Sequence, residues 1–181
     1  MNIIIKKKPS EKDTIRFINS SIKEKYNDKT GIIYCYSRAN CEKLCIKLKE
    51  LNINYVKSGT IIDINGVKIA GIGGITSTVK VKWGNRELKG QDRRFYTEAD
   101  INLLYKNAWG KEIDILITHQ AASNVLPENT DHEGTYYFEK IIKDMSPLYY
   151  LHGHHHKNYT NKYNDTEIIG LGNFGKNPKS Y

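Results

Sequence analysis

Apolar residues recur along this chain in two alternating patterns, one with a helical period and one in short extended runs. The first pattern, with apolar positions three and four residues apart, predicts helices at 10–25, 39–51, 97–108 and 134–145. The second pattern predicts strands at 31–36, 60–64, 67–72, 113–118, 147–151, 159–163 and 167–171. Strands that alternate with helices in this way predict an α/β fold, with hairpins late in the chain.

Turn and cap signals indicate the boundaries of several of these elements. Asn65-Gly66, between two alternating apolar runs, is the strongest short signal for a β-hairpin. Asn164-Asp165 marks a second hairpin turn, and Thr97-Glu-Ala-Asp100 is a capping box in front of the third helix. The loop at 119–133 is longer than most loops that only connect two elements, so we interpret it as functional.

Composition and charge are those of a globular protein. The 181 residues, 39% hydrophobic and 27% charged, suffice for one ordinary core. A net charge of +8 suits a phosphate-bearing partner such as nucleic acid, although scattered lysines also follow from an AT-rich coding sequence. We find no signal peptide and no apolar run that could cross a bilayer, so no membrane partner is expected. Cys35, Cys41 and Cys45 lack C-x-x-C spacing, which indicates reduced thiols and a cytoplasmic protein.

Histidines follow two of the predicted strands at their carboxyl ends, where α/β proteins collect ligand-binding groups. His119 ends the strand at 113–118, and a His-Gly-His-His-His run follows the strand at 147–151. In an extended segment alternate side chains share a side, so His154 and His156 would face one site while His155 points elsewhere. Neutral imidazole binds Mn, Fe, Zn or Ni, so the pattern favours a metal site over a solvated loop.

Three motifs follow one another in the second part of the chain. They are Gly71-Ile-Gly-Gly74 after a strand, Asp114-Ile-Leu-Ile-Thr-His119, and Gly153-His154-His155-His156 before a closing strand. In this order they resemble the second half of the calcineurin-like metallophosphoesterases, over residues 53–181. The resemblance implies a layered αββα sandwich that hydrolyses a phosphomonoester or phosphodiester with a metal-activated hydroxide.

The same resemblance assigns roles to individual residues. It implies up to two divalent metal ions, with His119 and His154 binding one and His156 the other. Gly153 and His154, with His132 from the long loop, would lie beside the phosphate of the substrate. No residue is assigned as a catalytic acid or base.

The first-half motifs of that family, Asp-x-His and Gly-Asp-x-x-Asp, are absent from residues 1–52, so the sandwich is incomplete at its N-terminus. They supply a bridging carboxylate, without which two cations a few ångströms apart repel each other. Asn40 lies where the family has Gly-Asn-His-Glu and is a candidate amide ligand. The resemblance therefore implies weak or no activity unless a partner chain supplies the missing aspartates.

A different pattern occupies residues 1–52. Lys6-Lys7-Lys8-Pro9-Ser10 precedes a helix, and Gly31-Ile-Ile-Tyr-Cys-Tyr-Ser37-Arg38 contains a strand. These residues resemble the start of the second motor domain of RecQ-type DNA helicases, which implies a RecA-like helix–strand–helix segment. No G-x-x-x-x-G-K-[ST] motif occurs, so motor activity is not expected. The leading hypothesis is a metal-dependent phosphoesterase, and the alternative is a nucleic-acid-binding accessory protein related to these helicases.

Overall fold

The computed structural model describes residues 54–83, 88–128, 130 and 133–172, together with the single positions 20 and 46. The RecA-like segment predicted at 1–52 therefore lies almost wholly outside the described residues. The described residues from Val56 onward belong to one compact unit of the chain. The predicted domain boundary between residues 52 and 53 stays a prediction.

The strands of the described part form one six-stranded mixed sheet in the order β1-β2-β3-β4-β6-β5. They are β1 Thr60–Ile64, β2 Val67–Ile72, β3 Ile115–Thr118, β4 Tyr149–His152, β5 Tyr159–Tyr163 and β6 Thr166–Gly170. The four inner strands are mutually parallel, while β1 and β5 at the two edges run antiparallel to their neighbours. The carboxyl ends of the inner strands consequently meet at one edge of the sheet.

A tight turn joins each edge strand to its neighbour. Asn65 and Gly66 have φ angles of 54° and 88°, and a two-residue turn of type I′ requires a positive φ at both positions. The Gly66 N–H donates to the Asp63 carboxylate at 2.8 Å. Asn164 at the second turn also has a positive φ, of 52°. Both predicted hairpins are confirmed.

Two α-helices lie in the described ranges between residues 54 and 172, α1 Glu98–Ala108 and α2 Tyr136–Met145. The predicted capping box opens α1, where the Thr97 backbone N–H donates to the Asp100 carboxylate at 2.9 Å. Helix α2 ends at Ser146, whose φ of 44° is left-handed. Alternating strands and helices confirm the α/β class. The described residues provide one sheet, so the two-sheet sandwich stays a prediction.

The core is built on one row of side chains that crosses the parallel strands in register. Ala70 pairs with Leu116, Leu116 with Tyr150, and Tyr150 with Ile168, and all four are fully buried. Buried residues of both helices join the same apolar cluster: Ile101, Leu104 and Ala108 from α1, and Phe138, Ile141 and Ile142 from α2. This packing fixes the register of the inner strands, since a slip by one residue would expose the whole row.

A few boundaries differ from the predictions by one or two residues. Strand β3 begins at Ile115 rather than 113, and the side-chain carboxylate of Asp114, just before it, accepts the Lys68 N–H at 2.7 Å. Strand β4 begins at Tyr149 rather than 147, because Pro147 has no N–H to donate. Helix α2 and the strand after the last turn are likewise shifted.

The irregular basic segment 73–96 contains two short 3-10 helices among its described residues, Val81–Trp83 and Gly90–Arg94. Its two ends are joined by a backbone bridge between Ile75 and Phe95. Within the part of the chain that the structure describes, no helix has the length and apolarity needed to span a bilayer.

Candidate metal centre

Parallel pairing of β3 and β4 brings the two histidine motifs together. The last ladder pair joins Thr118 to His152, and the Gly153 N–H then donates to the His119 carbonyl oxygen at 3.1 Å. The ring centroids of His119 and His154 are 5.0 Å apart, with the ring planes inclined at 57°. The predicted proximity of these two imidazoles at the carboxyl edge of the sheet is therefore present.

The backbone that carries His154 is a strained turn rather than an extended segment. The His155 N–H donates to the Gly153 carbonyl oxygen at 2.8 Å, and His154 between them has a φ of 66°. This combination marks a γ-turn of positive φ, the rarer and more strained form. His156 is also left-handed, with a φ of 55°. The expectation of an extended run was wrong, because this turn reverses the chain immediately after β4.

His155 bonds to the backbone of another segment, and its predicted direction away from the site stays a prediction. Its side chain is buried, and its Nε2 accepts the Ala121 N–H at 3.2 Å. Its ring stands almost perpendicular to that of His154, with centroids 5.2 Å apart. His155 thus ties the histidine turn to the segment that follows β3.

The electrostatic environment keeps the His119 ring neutral near neutral pH. Burial lowers the pKa of His119 to about 4, and the nearby positive charges that His154 and His156 can carry contribute to the same shift. A neutral imidazole offers a free nitrogen lone pair, which is the form that binds metals. His156 is exposed and His154 partly buried, so the cluster opens to solvent on the His156 side.

His152 is a residue that the sequence interpretation missed. It is buried, with its Nδ1 3.1 Å from the Gly153 carbonyl oxygen and its Nε2 2.6 Å from the Tyr159 hydroxyl. A carbonyl oxygen only accepts, so Nδ1 carries the proton. Burial lowers the pKa of His152 to about 4, so the ring is neutral and Nε2 accepts the Tyr159 O–H. His152 follows Tyr150 by two residues and so lies on the same face of β4, and this spacing could have indicated from the sequence that His152 is buried.

Gln120 is a second residue whose role the sequence did not reveal. Its buried amide accepts the Thr76 N–H at 2.7 Å and donates to the Glu133 carbonyl oxygen at 3.0 Å. The Tyr150 hydroxyl donates to the backbone carbonyl oxygen of Gln120 at 3.1 Å and thereby holds the backbone next to His119. Gln120 therefore joins the start of the basic segment and the end of the long loop to the residue next to His119.

The described residues do not form a complete metal site. Between 54 and 172, leaving aside the undescribed positions, no three His, Cys, Asp or Glu side chains are arranged to hold a metal ion. The imidazoles of His119 and His154 are a ligand type that binds divalent cations, and burial keeps the His119 ring neutral, but two rings do not complete a coordination shell. The candidate ligand Asn40 and the candidate substrate contact His132 lie outside the described residues. Gly153 is buried, and its N–H donates to the His119 carbonyl oxygen. Its contact with substrate stays a prediction.

Comparisons with known proteins give a fold and one local similarity. No protein-family model matches the chain. Over 46 residues it is 48% identical to a protein named putative ATP-dependent DNA helicase Q1 from Caenorhabditis briggsae, a match that covers 25% of this chain and 7% of that protein. The similarity therefore concerns a small part of the helicase.

Two solved structures resemble the chain in fold. One crystal structure aligns over 93% of this chain and 70% of its own, with a TM-score of 0.57 and 15% identity. The protein TT1561 of Thermus thermophilus aligns over 76% of this chain and 57% of its own, with a TM-score of 0.50 and 14% identity. The chain thus spans little more than half of TT1561, and likeness at this level of identity concerns the fold alone.

Proposed function

We propose that this chain is a metallophosphoesterase-like protein that binds a divalent cation, Mn, Fe, Zn or Ni, at the carboxyl edge of its sheet. The observation that carries the proposal is the 5.0 Å approach of the His119 and His154 rings from two separate strand ends. The strained γ-turn supports it, since left-handed backbone outside glycine is concentrated at functional sites. The substrate class is a phosphate ester, and the proposed architecture is the layered sandwich of that family.

Each histidine has its own part in this proposal. His119 and His154 bind one cation, and the exposed His156 binds a second or meets the substrate. A bound divalent cation polarises a phosphoryl oxygen and lowers the pKa of coordinated water. The remaining ligands, among them at least one carboxylate, come from undescribed residues or from a partner chain. Without that carboxylate, hydrolysis is weak or absent.

Isothermal titration calorimetry, in which Zn²⁺ is added to the purified chain at pH 7.5, tests the proposal. Removing both rings in His119→Ala/His154→Ala is expected to weaken Zn²⁺ binding by at least about 100-fold, the upper end of the loss that follows removal of one outer-shell partner. Asn102→Ala, which removes an exposed polar side chain from α1, serves as the control. Equal Zn²⁺ affinity in all three proteins would refute the metal site.

Hydrolysis of bis-p-nitrophenyl phosphate with Mn²⁺ then asks whether the bound cation is used. Activity above the background of free Mn²⁺, lost in the double variant, would identify an active phosphoesterase. Binding without turnover would indicate a chain that holds metal but lacks the carboxylate needed for catalysis.

A second candidate function is nucleic-acid binding without motor activity. It is favoured by the 48% identity over 46 residues with a protein named as a DNA helicase, and by the net charge of +8. Fluorescence anisotropy with single-stranded DNA at two salt concentrations measures it. Affinity that falls steeply with salt and survives loss of His119 and His154 would support this function.

A further inference from the structure

The Tyr159 side chain reaches across one strand to the residue that precedes the histidine turn. Tyr159 begins β5 and pairs with Gly170 of β6, and β6 in turn pairs with β4. A Cβ atom on Gly170 would overlap the Tyr159 ring, so the ring lies directly over that glycine. In this position the Tyr159 hydroxyl comes within 2.6 Å of His152 Nε2.

The directions of the hydrogen bonds form a chain that ends at the turn. Tyr159 O–H donates to His152 Nε2, and His152 Nδ1–H donates to the Gly153 carbonyl oxygen at 3.1 Å. The same carbonyl oxygen accepts the His155 N–H at 2.8 Å, the bond that closes the γ-turn around His154. The Gly153 carbonyl is therefore held by two donors, one from inside the turn and one from the Tyr159–His152 pair.

A γ-turn of positive φ needs such support from its surroundings. Left-handed backbone at a residue with a Cβ persists only where neighbouring groups over-determine it. If the His152 ring were free to rotate, the Gly153 peptide would have one fewer constraint. His154 would then relax towards negative φ and turn its ring away from His119.

We propose that Tyr159 and His152 are positioning residues, which hold the Gly153 carbonyl and thereby direct the His154 ring towards His119. The inference deepens the proposed function and rests on it where cation binding is the readout. Outer-shell partners that orient metal-binding histidines typically change affinity by about 10–100-fold, and this pair would act one peptide away from the ligand itself.

The test compares single hydroxyl deletions from two tyrosines of the same strand. Tyr159→Phe keeps the ring over Gly170 but removes the donor to His152, and it should weaken Zn²⁺ binding by about tenfold. Tyr163→Phe is the matched control, since the Tyr163 hydroxyl is directed at Lys143 on α2 and not at the turn. Far-UV circular dichroism checks that both variants fold.

Two His152 variants separate positioning from simple packing. His152→Ala removes both bonds, whereas the side-chain amide of His152→Asn can still donate to the Gly153 carbonyl oxygen. If His152 acts through that oxygen, His152→Asn should recover a substantial part of the Zn²⁺ affinity lost in His152→Ala. Equal affinities in wild type and Tyr159→Phe would overturn the proposal.

A metal-free readout keeps this inference distinct from the proposed function. Backbone Cα and Cβ chemical shifts of His154 report whether its φ is positive. In the apo protein, Tyr159→Phe should move these shifts towards values of negative φ, while Tyr163→Phe leaves them unchanged. If wild type binds no Zn²⁺ but the shifts move as described, the phosphoesterase proposal fails and the positioning role stands. Unchanged shifts in Tyr159→Phe would refute the positioning role.

Discussion

Gly153 donates its backbone N–H to the carbonyl oxygen of His119 at 3.1 Å, one step beyond the last ladder pair of β3 and β4. The parallel pairing thus continues past the strand ends, into the segment that holds the histidines. The separation of the His119 and His154 rings is consequently set by the sheet register, which the buried row from Ala70 to Ile168 fixes. Disturbing that row should disturb the site.

Gly170→Ala should destabilise the protein and displace Tyr159 from His152. The added methyl group would overlap the ring of Tyr159, and overpacking of this kind costs about 1–3 kcal/mol. Urea unfolding followed by circular dichroism measures the loss. Gly73→Ala is the matched control, since its new Cβ would lie 3.5 Å from Ser58 Oγ, an ordinary contact. A loss no larger in Gly170→Ala than in Gly73→Ala would contradict the assigned position of the Tyr159 ring.

Gln120→Leu should lower stability by about 1–3 kcal/mol, because it leaves the Thr76 N–H and the Glu133 carbonyl oxygen without their buried partner. Gln120→Glu keeps an acceptor for Thr76 but sets a second oxygen against the Glu133 carbonyl. Thermal unfolding should therefore show Gln120→Glu gaining stability relative to wild type as the pH falls and its carboxyl becomes protonated. The absence of a pH-dependent difference would argue against the bond to Glu133.

His155→Leu should cost about 1–3 kcal/mol of stability, because the buried Ala121 N–H loses its acceptor. His155→Gln retains a side-chain acceptor of similar reach and should recover part of that loss. Urea midpoints of the two variants check the expectation. Since His155 Nε2 already accepts the Ala121 N–H, Zn²⁺ affinity should fall less in His155→Gln than in His154→Ala.

Acidification should weaken the fold between about pH 6.5 and pH 4. The pKa values of His119 and His152 are both lowered from 6.5 to about 4, mainly by burial. The unfolded chain therefore binds more protons in this window, so stability is full above pH 6.5 and falls as the pH drops towards 4. Each shift sets an upper bound of ~3 kcal/mol on the loss.

Free energies of unfolding at pH 7.5 and pH 5, compared between wild type and His119→Gln/His152→Gln, isolate this contribution. Carboxyl groups titrate in both proteins, so their effect cancels in the comparison. The double variant should lose less stability than wild type on acidification. Parallel losses would show that the two rings are not held neutral by burial.

Much of the fold could be predicted because local signals agreed with the packing. Asn65-Gly66 and the Thr97 capping box depend on residues next to each other in sequence, and both occur as predicted. The approach of His119 to His154 followed from parallel strand ends. The finer arrangement of the site could not be predicted, since the γ-turn at His154 and the bond from Tyr159 to His152 depend on sheet order.

Strand β5 lies at the outer edge of the described sheet, where β6 is its one neighbour. Its three middle residues are polar and exposed, so only Tyr159 and Tyr163 at its two ends pack against the core. Local opening usually begins at such margins. Each time the outer hairpin frays, the Tyr159 hydroxyl leaves His152, so amide exchange at His155 should follow that of β5. Order at the histidine cluster then depends on an edge strand of the described sheet.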